Sequence, residues 1–309
     1  MKFVSVIILT YNRVKDVIDL LESLSYQTYP HFEVILIDNN STDETHKVIP
    51  ERFPSVRYFR VFYNSGVPGG RNFGIVNARG DYLVFVDNDA VVESDFLEKI
   101  VSTFEKESQA GILTFKILNY YNKEIDSSTW IFNESMKHVE QNTPVHSFVG
   151  CGHAFRREVV DSIGLLWTRL FFLHEEKDYS LRLLHTPYLV YYTPDIIVYH
   201  KVSPEKRYDL NERSFYYNVR NIIWIYIRNV SLLQSISFLS PLFVKIFLYS
   251  FRKGYVYHFF KGVIEGIAGS REAWQLRKPL PKAKYQQYVQ LENKEKAPLL
   301  IRLKRFLVN

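Results

Sequence analysis

Apolar positions in the first third of the chain change period in a regular way. Phe3 to Leu9 is an apolar run of strand length, and Val17, Leu20, Leu21 and Leu24 then recur at helical spacing within Val14 to Tyr26. Phe32 to Ile37 reads as a second strand, and Ser41-Thr42-Asp43-Glu44 opens the next helix with capping residues. Val56 to Phe62 is a third strand. Tyr82 to Val86 is a fourth, preceded by Gly80-Asp81 and followed at once by Asp87-Asn88-Asp89. A helix from Ser94 to Lys106 follows, with Asp95 and Glu98 at the end where the macrodipole favours acids.

Strands this apolar on both faces, separated by helices, predict an α/β fold. Its sheet is doubly wound and mostly parallel, with helices on both faces. Ligands of such sheets bind beyond the carboxyl ends of the strands. The clusters Thr10-Tyr11-Asn12-Arg13, Asp38-Asn39-Asn40-Ser41, Asn64 to Asn72 and Asp87-Asn88-Asp89 each follow a strand directly, so they are predicted to converge on one edge. Residues 119–147 show no clear period. Beyond them come Val149 to Phe155, a helix near Arg157 to Ser162, an acidic helix from about His174 to Leu184, and a strand pair at Tyr188 to Tyr192 and Ile196 to His200. From Asn211 onward the pattern is helical, and Leu232 to Phe251 is strongly apolar but contains Pro241 and Lys245.

Composition narrows the picture. With 309 residues, 47 % of them hydrophobic and 23 % charged, the chain can bury one domain core and carry a smaller appendage. The single cysteine, Cys151, excludes an internal disulfide and a Cys-rich zinc site, and fits a reducing, cytoplasmic setting. The amino-terminal apolar run reads as a buried strand, not a signal peptide. Net charge is +6, and from Lys245 onward basic residues (Lys253, Lys261, Arg271, then Arg302, Lys304 and Arg305) interleave with aromatic and aliphatic ones. That mixture suits an anionic membrane surface better than nucleic acid, for which no module is recognisable. Lys245 near the middle of a span would cost about 2.5–3.5 kcal/mol on insertion scales. Helices lying in the headgroup region, on the inner face of the membrane, are therefore expected in place of a spanning helix. Packing on the catalytic domain, or on a second subunit of a homo-oligomer, is the alternative.

Four constellations carry candidate chemistry. Asp87 and Asp89 at a broken strand end offer hard oxygen ligands for Mg²⁺ or Mn²⁺, which would bridge two phosphates; the plain alternative is a polar turn. His200 ends a strand, where a lone histidine is more often structural than a ligand. Glu175, Glu176 and Asp178 share one helical turn. Asp178 has Arg182 four residues on as a partner, whereas Glu176 has none at that spacing and is a candidate general base. Asn64 to Asn72 is a glycine-rich turn whose N–H groups, with Arg71, could hold a diphosphate; it lacks the Lys-Ser/Thr ending of a P-loop.

In this order, the motifs Val6-to-Arg13, Ile37-to-Asp43, Asn64-to-Gly74, Asp87-to-Ala90, Gly150-to-Phe155, Phe172-to-Arg182 and Tyr191-to-His200 resemble family 2 glycosyltransferases. These are inverting enzymes with the GT-A fold that build surface polysaccharides and glycolipids. The resemblance runs from residue 2 to about residue 230. It implies a catalytic domain at 1–210, with a nucleotide-sugar half at 1–118 and an acceptor half at 119–210, and a helical, membrane-associating region at 211–309. Tyr217-Asn218-Val219-Arg220-Asn221 resembles a helix of the rhamnosyltransferase-like branch.

The residue roles that the resemblance implies are as follows. Thr10, Tyr11 and Arg13 lie near the base and diphosphate, Asp38 reads the base, and Asn40, Gly70, Arg71 and Asn88 complete the donor site. Asp87 contacts ribose or metal, Asp89 binds the metal, and His200 is its distal ligand. Glu176 is the base, at a position where many members carry Asp, with Asp178 as rival. Glu175, Gly152 and His153 face the acceptor. The implied reaction is one in-line displacement from a UDP-, GDP- or dTDP-linked sugar onto a hydroxyl of a saccharide or lipid-linked acceptor. A nucleotidyltransferase would want a Gly-rich loop with Lys after the first strand, where Thr10 to Arg13 stand; an inactive sugar-nucleotide-binding subunit would not need Asp87, Asp89, Glu176 and His200 together.

Overall fold

The computed structural model describes residues 1–132, 134–201 and 211–295. Nine strands among them form one sheet: β1 (Val4–Thr10), β2 (Phe32–Asp38), β3 (Arg57–Arg60), β4 (Tyr82–Val86), β5 (Ala90–Val92), β6 (Ala110–Asn119), β7 (Thr143–Val145), β8 (Gly152–Arg156) and β9 (Leu189–His200). Their order is β3-β2-β1-β4-β8-β6-β9-β5, with β7 also paired to β9. β1, β2, β3 and β4 are mutually parallel, and β1 and β2 run in step from Val4 opposite Phe32 to Thr10 opposite Asp38. β8 lies antiparallel between β4 and β6, while β6 and β9 are parallel.

Helices α1 (Val14–Ser25), α2 (Thr45–Arg52), α3 (Gly66–Asn77), α4 (Phe96–Lys106), α5 (Arg157–Ile163) and α6 (Glu175–Leu183) connect these strands. Inward-facing residues such as Val17, Leu20, Leu21, Phe96, Ile100 and Phe104 pack on Ile8, Leu36, Val84 and Phe115 in one large core. α3 lies close against β1 because it carries glycine there. A Cβ on Gly70 would stand 2.2 Å from Leu9 Cδ1, and one on Gly74 2.4 Å from Ile7 Cγ2.

Two expectations need correction. The strand pair at 188–192 and 196–200 is one strand, β9. Its register against β6 jumps between Phe115–Thr193 and Lys116–Ile197, leaving Pro194 in the irregularity, where its missing N–H costs no ladder bond. The unassigned stretch 119–147 holds β7 and a 3₁₀ turn at Glu134–His138.

Helices α7 (Glu212–Asn229), α8 (Leu232–Lys253), α9 (Val256–Ala268), α10 (Ser270–Gln275) and α11 (Lys282–Glu295) complete the described chain. α7 is their hub. Ile222, Trp224, Ile225 and Tyr226 pack with Trp167, Leu170, Leu181, Tyr285 and Tyr288, which ties the helices to the turn before α6. α8 starts on a Ser231 cap and ends at Gly254 in the left-handed region, with φ of 77°. It is long and apolar enough to cross a membrane by length and composition, and most of it is not covered by protein. Arg302, Lys304 and Arg305 lie outside the described residues.

Candidate active site

The carboxyl ends of β1, β2 and β4 and the turns before α3 and α6 close around a cleft of about 770 Å³. Thr10, Tyr11, Arg13, Asn39, Arg71, Asp87, Asn88, Asp89, Glu175 and Glu176 all line it. The loops after β1 and β2 are stitched together: Asn12, at φ 55°, receives the Thr42 N–H on its side-chain oxygen and donates its own N–H to Ser41 Oγ. Asn88 Nδ2 donates to Thr10 Oγ1 at 3.0 Å, which joins the Asp-Asn-Asp turn to β1.

Arg71 is the electrostatic centre of the floor. Its buried guanidinium donates to the Gly150 carbonyl at 2.8 Å and pairs with Asp87 at 3.2 Å and Glu175 at 3.5 Å. Enclosure pushes the Asp87 carboxyl up; Arg71 opposes the shift and Asp89 adds to it. Asp87 nevertheless leaves 38 % of its side-chain surface open to the cleft, so it is accessible to a ligand.

Asp89 sits between two cations. Arg13 Nη1 lies 3.2 Å from one oxygen and His200 Nε2 3.4 Å from the other. The two residues meet because Ala90 on β5 is registered opposite His200 on β9. The other ring nitrogen of His200, Nδ1, lies 2.7 Å from Asp126 Oδ2. Burial alone would lower the imidazole, but hydrogen bonds to Asp126 and Asp89 overcome it and push it up to about 10. Once His200 gives up its Nε2 proton, the donor chemistry suits a divalent cation: a histidine oriented by a carboxylate faces a second carboxylate. Among the described residues, no three such side chains already surround a common point.

The acidic helix is delivered by a strained turn. Phe171, Leu173 and His174 all have positive φ, at 62°, 68° and 71°. Non-glycine residues in this region persist only where surroundings over-determine them. Here α7 supplies the restraint. Asn221 Nδ2 donates to the carbonyls of Leu170, Phe172 and Leu173 at 3.0, 2.9 and 2.9 Å, and His174 Nε2 lies 2.6 Å from Asn218 Oδ1. The outcome is that Glu175 and Glu176 both enter the cleft. Burial raises each carboxyl above its ordinary value; Arg71 offsets this for Glu175, and the Glu175 charge adds to it for Glu176.

Several expected site residues are placed elsewhere. Asp178 is fully buried and does not line the cleft, held by Arg182 Nε at 2.9 Å, Arg228 Nη1 at 3.2 Å and Asn229 Nδ2 at 2.9 Å. His153 is a core residue: its ring stacks on Phe85 at 4.8 Å and its Nδ1 lies 3.0 Å from the Val149 carbonyl. Gly152 beside it packs against Val198, Ile117 and Phe115, and neither residue lines the cleft. Asp38 is buried, accepting from Ser41 N–H at 2.7 Å and from the Tyr58 hydroxyl; its neighbour Asn39 lines the cleft instead. Gly70 serves helix packing, and Asn40, at φ 69°, does not line the cleft. Asn39, in the polar cluster after β2, lines the cleft, and Asp126, Asn218 and Asn221 support it from outside; the sequence signal for the last two is the 217–221 motif.

A family model described as "Glycosyl transferase family 2" matches residues 5–164, more than half of the chain. The chain belongs to glycosyl transferase family 2. The match spans the donor-side loops, the Asp-Asn-Asp turn and β8. A relative, the Staphylococcus aureus poly(ribitol-phosphate) β-N-acetylglucosaminyltransferase TarS, is 34 % identical over 145 residues, which is 45 % of this chain and 24 % of that one. The chain thus spans about a quarter of that relative's length. The solved structure of S. aureus TarS 1–349 with UDP-GlcNAc superposes with a TM-score of 0.57 at 16 % identity, covering 93 % of this chain and 92 % of that one. A Pyrobaculum calidifontis mannosyltransferase solved with GDP-Man and Mn²⁺ gives 0.55 at 19 %, covering 94 % and 84 %. At these identities, the superpositions establish the fold.

Proposed function

We propose that the chain transfers a sugar, with inversion, from a nucleoside-diphosphate sugar to a hydroxyl of a saccharide or lipid-linked acceptor. The observation that carries this reading is that Glu176, Arg71, Asp87 and Asp89 share one cleft at the carboxyl edge of the sheet. Thr10, Tyr11, Arg13, Asn39 and Asn88 form the donor side, and Arg71 steadies the diphosphate as negative charge develops on it. Glu176 accepts the acceptor's hydroxyl proton, and its raised affinity for protons suits that task. Glu175 holds Arg71 in place beside it.

Asp89 and His200, with Asp87 at the open side, would hold Mg²⁺ or Mn²⁺, and Asp126 would orient His200. The ion would supply charge neutralisation at the diphosphate. Arg13 occupies one Asp89 oxygen here and would turn to the phosphates once a donor binds.

The working location in this reading is peripheral, on the inner face of the membrane. Leu233, Ile236, Phe251, Phe260 and Ile264 are exposed on α8 and α9, the helices that also carry Lys245, Lys253 and Lys261.

The test is to incubate the purified chain with UDP-, GDP- and dTDP-sugars, with Mn²⁺ or with chelator, and measure nucleoside-diphosphate release and protection against thermal unfolding. A metal-dependent response to one donor class is expected, with Glu176→Gln losing transfer while keeping donor protection. Neither release nor protection with any donor would overturn the proposal.

A further inference from the structure

A second hollow of about 800 Å³ lies between α7, α8 and α11. Its walls are largely apolar: Ile222 from α7, Phe238, Leu242 and Ile246 from α8, and Tyr285 and Val289 from α11. His174 and Lys177 line both this groove and the catalytic cleft, so the contents of the two lie one side chain apart. Lys245 also lines the groove and is exposed.

The helix that makes this wall is apolar on two faces. Phe238, Leu242 and Ile246 turn into the groove, while Ile236, Val244, Phe247, Leu248 and Phe251 are exposed on the outside. α9 continues the outer surface with Phe260, Ile264 and Ile267. A surface helix of a soluble protein keeps its outward face polar. A contiguous apolar exterior beside an apolar groove therefore marks a site where lipid is met. Inside the groove Lys177 and the buried Glu292 pair at 3.8 Å, whereas α8 carries Lys245, Arg252 and Lys253 and no acidic residue, so the α8 wall is basic and favours an anionic amphiphile over an acidic peptide.

On the transferase reading, we propose that the groove holds the hydrocarbon chain of a lipid-linked acceptor. Its phosphate lies at the basic α8 wall by Lys245, and its sugar passes His174 and Lys177, which line both spaces, to enter the cleft at Glu176. The reaction then balances simply. The acceptor hydroxyl oxygen forms a bond to the donor's anomeric carbon, the bond from that carbon to the diphosphate oxygen breaks, and the hydroxyl proton passes to Glu176. The outer apolar face of α8 and α9 rests on the membrane from which such a chain is drawn.

The experiment uses dodecyl phosphate at monomeric concentration, inorganic phosphate, and dodecyl maltoside as a neutral amphiphile, with affinities measured on the full chain by calorimetry. Dodecyl phosphate is expected to bind at least tenfold more tightly than either of the others. Ser237→Trp, which fills the groove from an exposed position, should weaken dodecyl phosphate at least tenfold while leaving binding to anionic phospholipid vesicles unchanged. Lys245→Glu should erase the preference for dodecyl phosphate over dodecyl maltoside, and it keeps the proposal testable if the tryptophan variant unfolds. Absence of dodecyl phosphate binding to the native chain, or equal binding by native chain and folded Ser237→Trp, would overturn the groove assignment. Nucleoside-diphosphate binding, measured in the same samples, separates that failure from failure of the transferase reading.

Discussion

A Cβ on Gly150 would stand 2.5 Å from Glu176 Oε1, closer than any two such atoms can sit. Gly150 also gives its carbonyl to Arg71. The position therefore governs where the proposed base stands, although Gly150 has no side chain to contribute chemistry. The clash would fall on the end of a flexible side chain, so Gly150→Ala should fold normally and displace the carboxylate. Transfer should drop toward the roughly 10²–10⁴-fold loss typical of removing a positioned base. Donor affinity should hold. Steady-state kinetics beside donor titration check this, and unchanged kcat would show that Glu176 is not positioned by the wall at Gly150.

Asp178 predicts the opposite phenotype. It is the shared acceptor for Arg182, Arg228 and Asn229 in the interior, joining α6 to α7. Removing one partner from a buried ion pair typically costs about 3–5 kcal/mol. Asp178→Ala should thus lower the unfolding midpoint in urea markedly, and any folded fraction should keep its rate per molecule. A stable but inactive variant would return Asp178 to the list of catalytic groups.

The pH dependence of transfer should bear the mark of Glu176. Burial first, then the Glu175 charge, raise its proton affinity, with Arg71 opposing and Asp87 adding a little. A base works only when deprotonated, so the acidic limb of kcat/KM should lie well above the value of about 4.3 for a free glutamate. The same shift bears on stability. A carboxyl whose folded pKa is raised contributes stability below its unfolded pKa, and that contribution is lost as pH rises through the folded one. Glu176→Gln should therefore melt at the same or a higher temperature than the native chain on the alkaline side. A Tm difference of the opposite sign would contradict the raised affinity.

Asp126 is expected to act on the metal through His200. Its carboxylate holds Nδ1 at 2.7 Å, leaving Nε2 toward Asp89. Loss of such an orienting partner typically costs about 10–100-fold in metal affinity. Titration of Mn²⁺ into Asp126→Asn, in the presence of nucleoside diphosphate, should show a loss of that order. Affinity equal to that of the native chain would remove His200 from the proposed ligand set.

For the membrane, the exposed apolar face of α8 and α9 predicts binding to anionic vesicles that high salt or alkaline carbonate reverses. Resistance to both washes would mean a spanning helix. Full solubility with no vesicle binding would favour packing against another subunit.

Much of the donor-side architecture was legible in the chain itself. The period change between Phe3–Leu9 and Val17–Leu24 marks β1 and α1, because burial of both strand faces and one helix face leaves different spacings of apolar residues. Parallel strands then bring Thr10 beside Asp38, so polar residues that follow strands collect at one edge. That geometry also made a meeting of Asp89 with His200 foreseeable from two strand ends.

Which member of each cluster faces the cleft was decided only by tertiary contacts. Glu176 and Asp178 share a helical turn, and they part because Arg228 and Asn229, about fifty positions later, draw Asp178 inward. His153 stands two residues from cleft-lining Cys151, yet Cys151 precedes β8 while His153 lies within it and stacks on Phe85 in the core. Asp126 lay in a stretch without period and reaches His200 across 74 positions. The left-handed turn that delivers Glu175 and Glu176 depends on three hydrogen bonds from Asn221 on another helix. Local patterns report which face of an element is buried. They do not report the partner that buries it, and in this chain that partner decides which carboxylate faces the cleft.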